Sequence, residues 1–510
     1  DCNATTAVLP QARAAAQAAM AEDFGNPSSI HSTGLKARVL IDSAREHARR
    51  LLGAGSGRLL FTSGATEGIQ TAVLSALNAL RLRREAGEEI PALLLYGATE
   101  HKAVPEALKH WNALLGLQRE VMAIPVGHDG RHDLAWLRRH APDAGLVCTM
   151  AANNETGVIS DLDGIEAALD GSDALWLVDG VQGLGKLDMR LAQRLIDYAP
   201  FSGHKLYAPK GIGMLYVREG APFTPLLAGG GQEGALRSGT ENMSGIAALD
   251  AVMAALDDGK TFHTAATLES YRAQLVEALG EAFPGLVFNA PLELSLPTTL
   301  NFSVPGVSSR LLLNLFDAAA VSVSGGSACS AAKAQPSFVL QAMGLPEWQT
   351  ASAVRLSFGP ATEPALIAAA CERIRACGAA LRAHGPDAAA LATDLPEDAA
   401  PARALDAARL HALATAPTGL VLVDVREPYE QCLGITLGLM SELGGAVTPQ
   451  ALPLSRLADG LDALLALPVA TPVVFYCRSG NRSAQAAQIL AYRGHTESYT
   501  LAGGLALWPA

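Results

Sequence analysis

A chain of 510 residues exceeds what a single hydrophobic core ordinarily serves, so two or three domains are expected. With 49% apolar and 17% charged residues the composition is globular, and no apolar run approaches the roughly 20 residues of a membrane span. The formal net charge of -12 argues against a surface that grips nucleic acid along its length. Neither nucleic acid nor membrane is therefore an expected partner. The opening residues do not read as a basic, apolar leader. The seven cysteines are scattered, with neither zinc-site spacing nor the density of a disulfide framework. No metal site is expected, and reduced thiols suit a cytoplasmic location.

In chain order, the first 380 or so residues alternate short apolar strands with longer helical patterns, the mark of an α/β sheet with covering helices. Arg58–Thr62 predicts a strand, and Thr66–Arg81 a helix on which Ile69, Val73, Leu77 and Leu80 recur at helical spacing. The Arg81–Arg84 cluster suits a helix end, where cations face the negative pole of the dipole. Further strands are expected at Ala92–Tyr96, Leu146–Met150, Leu175–Val178 and Ile212–Val217. The Pro-, Asp- and Ala-rich stretch from Gly385 to Pro401 suits a linker. A second, smaller α/β pattern follows, with strands at Leu420–Val423 and Val473–Tyr476 and a helix from Ser483. The expected domains are 1–384 and 405–510, joined by 385–404.

His101, Asn154 and Asp179 fall just after expected strands, where open α/β sheets bind ligands. Lys205, in Ser202-Gly203-His204-Lys205, can reach a pocket at the same sheet edge; Lys210 is a competing lysine. Asp179 can hold a proton on a pyridine nitrogen. Ser63-Gly64-Ala65-Thr66 joins a strand to a helix, where exposed amides and the helix dipole favour a phosphate. A lysine, an acid, a phosphate cradle and a ring-facing group are what a pyridoxal 5'-phosphate enzyme asks of its protein.

Several segments recur in a telling order: Asn3-Ala4-Thr5-Thr6, Ser63-Gly64-Ala65-Thr66-Glu67, Thr99-Glu100-His101, Asn153-Asn154-Glu155-Thr156-Gly157, Asp179-Gly180-Val181-Gln182, Ser202-Gly203-His204-Lys205, Arg237-Ser238-Gly239-Thr240 and Ser327-Ala328-Cys329. Over roughly residues 1 to 380 this series resembles the cysteine desulfurases of the class V aminotransferase superfamily. The chain opens at Asp1 inside a motif, so a few residues are expected before it. The resemblance implies a fold-type I architecture, with a large mixed-sheet domain and a small α+β domain. It implies that Lys205 carries the cofactor as a Schiff base, Asp179 pairs with the pyridine nitrogen and Gln182 contacts the phenolic oxygen. His101 would stack on the ring and act as an acid or base, while Ala65, Thr66, Ser202 and His204 hold the phosphate. Thr240 would reach the phosphate across a dimer interface, implying a homodimer. Asn154 and Arg355 would bind the substrate carboxylate, a task suited to a planar, two-pronged guanidinium.

The nucleophile separates the reactions of this superfamily. Cys329 lies in Ser322–Ser330, a run of small residues that favours a loop from which a thiol can swing into a pocket. L-cysteine would bind as substrate, the Cys329 thiolate would attack its sulfur, and alanine would leave. An unperturbed thiol titrates near about 8.5, so a local base or positive charge must assist. A selenocysteine lyase or an aminotransferase of the same superfamily is the alternative.

In the second pattern, Val473–Tyr476 runs directly into Cys477-Arg478-Ser479-Gly480-Asn481-Arg482-Ser483 and a helix. Such a loop can turn its amides, a helix N-terminus and guanidinium charge toward a persulfide on Cys477. Tyrosine phosphatases use a similar arrangement. Val423–Glu427 and Leu501–Trp508 resemble the opening and closing motifs of rhodanese domains, which implies a parallel-sheet α/β fold over about 405 to 510. Between Glu430 and Leu454 the usual pattern is replaced by the apolar, Gly-rich stretch Gly434–Val447. An inactive module that docks a sulfur carrier is the second alternative.

Of the other residues, Cys148 reads as core. Cys371 and Cys377 stand too far round a helix to share a metal, and Cys2 reads as a packed small side chain beside the cofactor motif. Cys432 could resolve a persulfide, and His110, His128 and His132 read as surface or turn residues. The sulfur is expected to pass from Cys329 to Cys477 and on to acceptor proteins. An iron–sulfur scaffold, a thiocarboxylate carrier and a tRNA-modifying enzyme all remain open as acceptors.

Overall fold

A computed structural model describes residues 1–325, 336–384, 400–417, 419–433, 443 and 447–508. Cys329, most of the expected linker and most of the Gly434–Val447 stretch lie outside the described residues. The chain divides into two compact units. The first comprises Asp1–Gln274, Gly285–Ser309 and Val323–Ile367; the second comprises Leu275–Pro284, Arg310–Ser322 and Ala368–Ala510.

The first unit is built on a seven-stranded mixed sheet. Its strands are β1 (Arg58–Thr62), β2 (Leu93–Gly97), β3 (Glu120–Ile124), β4 (Ala144–Met150), β5 (Leu175–Asp179), β6 (Tyr198–Ser202) and β7 (Gly213–Val217). Their order across the sheet is β1-β7-β6-β5-β4-β2-β3, with β7 antiparallel to both of its neighbours and the other pairs parallel. Central parallel strands are covered on both faces, which is why β4 reads as a nearly continuous apolar run and is buried throughout. Cys148 on this strand is core, as expected. The helix Ala65–Glu85 buries Ile69, Val73, Leu77 and Leu80, with Arg83 and Arg84 in its last turn.

Two strands of this sheet were absent from the sequence reading. β3 lies at the sheet edge and is only partly buried, so its apolar signal is weak. β6 contains Pro200, which ordinarily argues against an interior strand. The Pro200 carbonyl accepts from Gly180 N–H at 3.1 Å on the β5 side. The missing proline N–H faces that same side, so the antiparallel ladder with β7 loses nothing.

The first unit also holds a four-stranded antiparallel sheet. Its strands are β8 (Val287–Phe288), β9 (Thr299–Ser303), β10 (Ser324–Gly325) and β11 (Val354–Ser357), in the order β10-β11-β9-β8. The second unit carries a parallel five-stranded sheet of β12 (Arg403–Leu405), β13 (Val421–Asp424), β14 (Gln450–Ala451), β15 (Val473–Tyr476) and β16 (Ser498–Leu501). Its order is β12-β16-β15-β13-β14. The expected mixed-sheet and parallel-sheet architectures are therefore both present. Among the described residues no helix is long and apolar enough to cross a membrane.

His132 requires a correction. It is not a surface or turn side chain but is buried, with neither ring nitrogen hydrogen-bonded. A Cβ on Gly97 would fall 2.4 Å from His132 Nε2 and 3.0 Å from Glu100 Oε1, so the glycine makes room for both groups. Burial pushes the His132 pKa down to about 4.

Candidate active site

The carboxyl ends of the central strands bring the expected residues together. Asp179 closes β5, Ser202 closes β6, and the Ser63-Gly64 turn follows β1. Asp179 is buried, and one carboxylate oxygen accepts from Val181 N–H at 2.9 Å. Burial raises its pKa; that N–H and the charges of His101 and Lys205 act against the rise. A buried carboxylate in this state calls for a cationic N–H partner, such as a pyridinium.

Lys205 occupies the short turn Gly203–Lys205 after β6, and its Nζ donates to the carbonyls of Asn3 and Ala4, each at 2.8 Å. The competing Lys210 is exposed. Gln182 is buried, and its Nε2 makes a long contact of 3.4 Å with the same Asn3 carbonyl. The opening segment thus gathers the amine and the amide, while Asn3 Oδ1 is left buried without a hydrogen-bond partner.

The turn before the helix Ala65–Glu85 has an anion cradle's construction. Gly64 has φ 155 and supplies no capping side chain, and Ala65 N–H donates to Ser202 Oγ at 3.0 Å. A Cβ on Gly213 would lie 2.7 Å from Gly64 Cα, so only glycine lets β7 pass beneath the turn. Thr66 is exposed there. His204 approaches Thr5 Oγ1 at 3.2 Å, and burial with the charges of Lys205 and Lys210 pushes its pKa down to about 4. A neutral imidazole suits a hydrogen-bonding role beside a phosphate.

Arg355, on β11, is buried. Its Nη1 donates to Asn154 O at 2.8 Å and its Nη2 to Asp1 Oδ1 at 2.7 Å. Nε is buried without a hydrogen-bond partner. His101 is exposed, and its Nδ1 accepts from Ala103 N–H at 3.2 Å. Thr240 is exposed on the Arg237–Thr240 segment, where Arg237 pairs with Glu67 at 2.9 Å.

The donor set fits pyridoxal 5'-phosphate: an amine for the aldehyde, a buried carboxylate for the ring nitrogen, an amide for the phenolic oxygen, and hydroxyl and amide groups for the phosphate. Sequence reasoning did not single out Asp1 as the partner of Arg355, or Lys186, whose Nζ donates to Gln182 Oε1 at 2.7 Å.

In the second unit, Cys477 follows β15 directly and is fully buried. Gly480 N–H donates to its Sγ at 3.2 Å, and Ser483 Oγ lies 3.5 Å away. Gly480 has φ 91, a left-handed conformation natural to glycine, and leads into the helix Asn481–Tyr492. Arg482 makes a two-pronged pair with Glu430, which is wholly buried. Burial opposes the Arg482 charge, but the Glu430 hydrogen bonds and field prevail and raise its pKa. The closing motif clasps the loop from behind, as Leu505 N–H and Ala506 N–H donate to the carbonyls of Cys477 and Arg478, each at 2.9 Å. Arg478 pairs with Asp317, and Ser479 and Asn481 complete the loop. Among the described residues no group of His, Cys, Asp or Glu could hold a metal ion.

The aminotransferase class-V family model matches residues 1–368, and a rhodanese-like domain model matches residues 406–510. A cysteine desulfurase of Gluconacetobacter diazotrophicus is 37% identical over 362 residues, covering 70% of this chain and 87% of the relative. One of Cereibacter sphaeroides is 36% identical over 370 residues, covering 72% and 92% respectively. A solved NifS-like protein superposes with a TM-score of 0.65 at 32% identity, over 74% of this chain and 97% of its own.

Proposed function

Because the chain belongs to the class-V aminotransferase family, as a pyridoxal-phosphate cysteine desulfurase with a C-terminal rhodanese-like domain, we propose that it loads sulfur from L-cysteine onto Cys329 and relays it to Cys477. Residues 1–384 would form the desulfurase module and 405–510 the receiving module. The observation that carries this reading is the meeting of Lys205 and Gln182 at the Asn3 carbonyl, with the Lys205 charge acting on buried Asp179.

Bound pyridoxal phosphate supplies an electron sink for the charge left when the substrate's α-proton is removed. Lys205 would hold the cofactor, and its amine is placed to move that proton. Asp179 would keep a proton on the ring nitrogen, Gln182 would donate to the phenolic oxygen, and His101 would cover the ring face. Ser202, His204, Thr66 and the amide at Ala65 would hold the phosphate. The Nε of Arg355 and the side chain of Asn154 orient the substrate carboxylate. The Cys329 thiolate attacks the substrate sulfur; the S–S bond forms as the Cβ–S bond breaks, and the carbon skeleton takes up protons to leave as alanine. The Cys477 thiol then takes the outer sulfur from Cys329, whose thiol is regenerated. Tethering the acceptor raises its local concentration to roughly the millimolar range.

Exposed Met20, Phe24, Ile30, Leu35 and Val39 fall within one short stretch, and Ile30 is 92% exposed. This supports a homodimer in which Thr240 serves the partner's phosphate site. Among the described residues no disulfide joins Cys2, Cys148, Cys371, Cys377, Cys432 and Cys477, which suits a reducing, cytoplasmic setting.

The test is incubation with sulfur-labelled cysteine, followed by mass spectrometry of peptides carrying Cys329 and Cys477. Cys329→Ala should abolish labelling of both sites while the cofactor's visible band persists. Cys477→Ser should leave alanine formation within about twofold and remove label from the second domain alone. Full turnover by Cys329→Ala would refute the nucleophile assignment.

A further inference from the structure

Lys186 has no part in the chemistry above, yet it stands inside the same centre. Gly180–Leu187 winds through two successive tight turns, with Leu184 N–H donating to Gly180 O at 3.0 Å, Leu187 N–H to Gly183 O at 2.9 Å, and Gly185 between them at φ 67. The second turn folds Lys186 back over the first, and its Nζ donates to Gln182 Oε1 at 2.7 Å. An ammonium only donates, so the amide atom it meets must be the oxygen. The amide's orientation is thereby fixed, and its N–H edge is turned away from Lys186. That edge faces the Asn3 carbonyl at 3.4 Å, the same oxygen that receives Lys205 Nζ at 2.8 Å. Without the lysine, either end of the Gln182 side chain could face the amine, and only one end donates.

We propose that Lys186 is a positioning residue for the Lys205 centre, locking the Gln182 amide with its N–H edge toward the amine and the phenolic oxygen of bound cofactor. The inference rests on the reading of this site as a pyridoxal-phosphate centre. The charged and titratable groups acting on Lys186 are Cys2 on the opening segment, Lys205 after β6 and Arg355 on β11, while Asp179 at the end of β5 meets Glu100, His101 and Lys205, and His204 adjoins Lys205. Burial, aided by the charges of Lys205 and Arg355 and opposed by Cys2, pushes the Lys186 pKa down to about 8. The ammonium is therefore retained at neutral pH. A donor aimed at the phenolic oxygen withdraws electron density from it and makes the neighbouring nitrogen less basic. A nearby positive charge acts in the same direction.

The experiment is a pH titration of the visible cofactor band in the full-length protein, comparing wild type, Lys186→Met, Gln182→Ala and the double variant. Lys186→Met should raise the midpoint by about one unit. The same substitution in the Gln182→Ala background should raise it distinctly less, because the amide it orients is gone. Lys186→Arg keeps charge and donors and should return the midpoint toward wild type. If Lys186→Met folds poorly, Lys186→Gln serves in the same cycle. An unchanged midpoint, or shifts that add fully, would overturn the assignment. A wild-type chain without a visible band would instead overturn the cofactor reading, and this inference with it.

Discussion

The two centres treat buried charge in opposite ways. Around Lys205, several titratable groups are buried short of hydrogen bonds: Asp179 takes one backbone N–H, Glu100 has neither carboxylate oxygen hydrogen-bonded, and the His132 ring is unpartnered. Burial, then the Asp179 charge, pushes the Glu100 pKa well up. Around Cys477 the carboxylates are satisfied. Asp424 pairs with Arg426 at 2.7 Å, Glu430 holds Arg482 by two hydrogen bonds, and Glu427 accepts from Ser455 Oγ at 2.6 Å. The difference teaches what each site awaits. A centre that binds a charged, polar cofactor keeps hydrogen-bonding capacity open, whereas the loop around Cys477 has its neighbouring carboxylates paired within the fold.

The sharpest way to break this comparison is Lys205→Ala. If the open valences await the cofactor that Lys205 holds, turnover should fall about a thousandfold and the visible band should vanish. A normal band would move the role to Lys210. Glu430→Ala tests the paired side. It leaves Arg482 charged, buried and unpaired, and should destabilise the β13–β15 region by about 3–5 kcal/mol, read by hydrogen exchange of its amides. A loss below about 1 kcal/mol would mean that the pair does not hold this region.

His132→Leu refines the open side. The folded pKa of about 4 lies below the ordinary value near 6.5. The unfolded chain therefore binds more protons between these values, and stability falls as pH drops through that window. The expected loss is about 3 kcal/mol in the wild type, and it should be absent from the His132→Leu unfolding profile between pH 6.5 and 4. Identical profiles would show that His132 is not held neutral.

Much of this organisation was legible in the sequence, because parallel strands covered on both faces must be apolar runs and motifs at their ends keep a fixed order along the chain. Arg58–Thr62 and Val473–Tyr476 match their strands residue for residue. Lys205, Asp179 and Gln182 could be named as a set, and the loop after Val473–Tyr476 could be recognised from its Cys, Gly and Arg spacing. Only the tertiary structure could decide which groups satisfy one another. Arg355 meets Asp1 across 354 positions and Arg482 meets Glu430 across 52, separations that leave no local pattern. The burial of His132 depends on the space Gly97 leaves for it, and the tolerance of Pro200 depends on which side of β6 its missing N–H faces. Periodicity reports how a segment meets solvent; the pairing of buried charges is set by the closure of the fold around them.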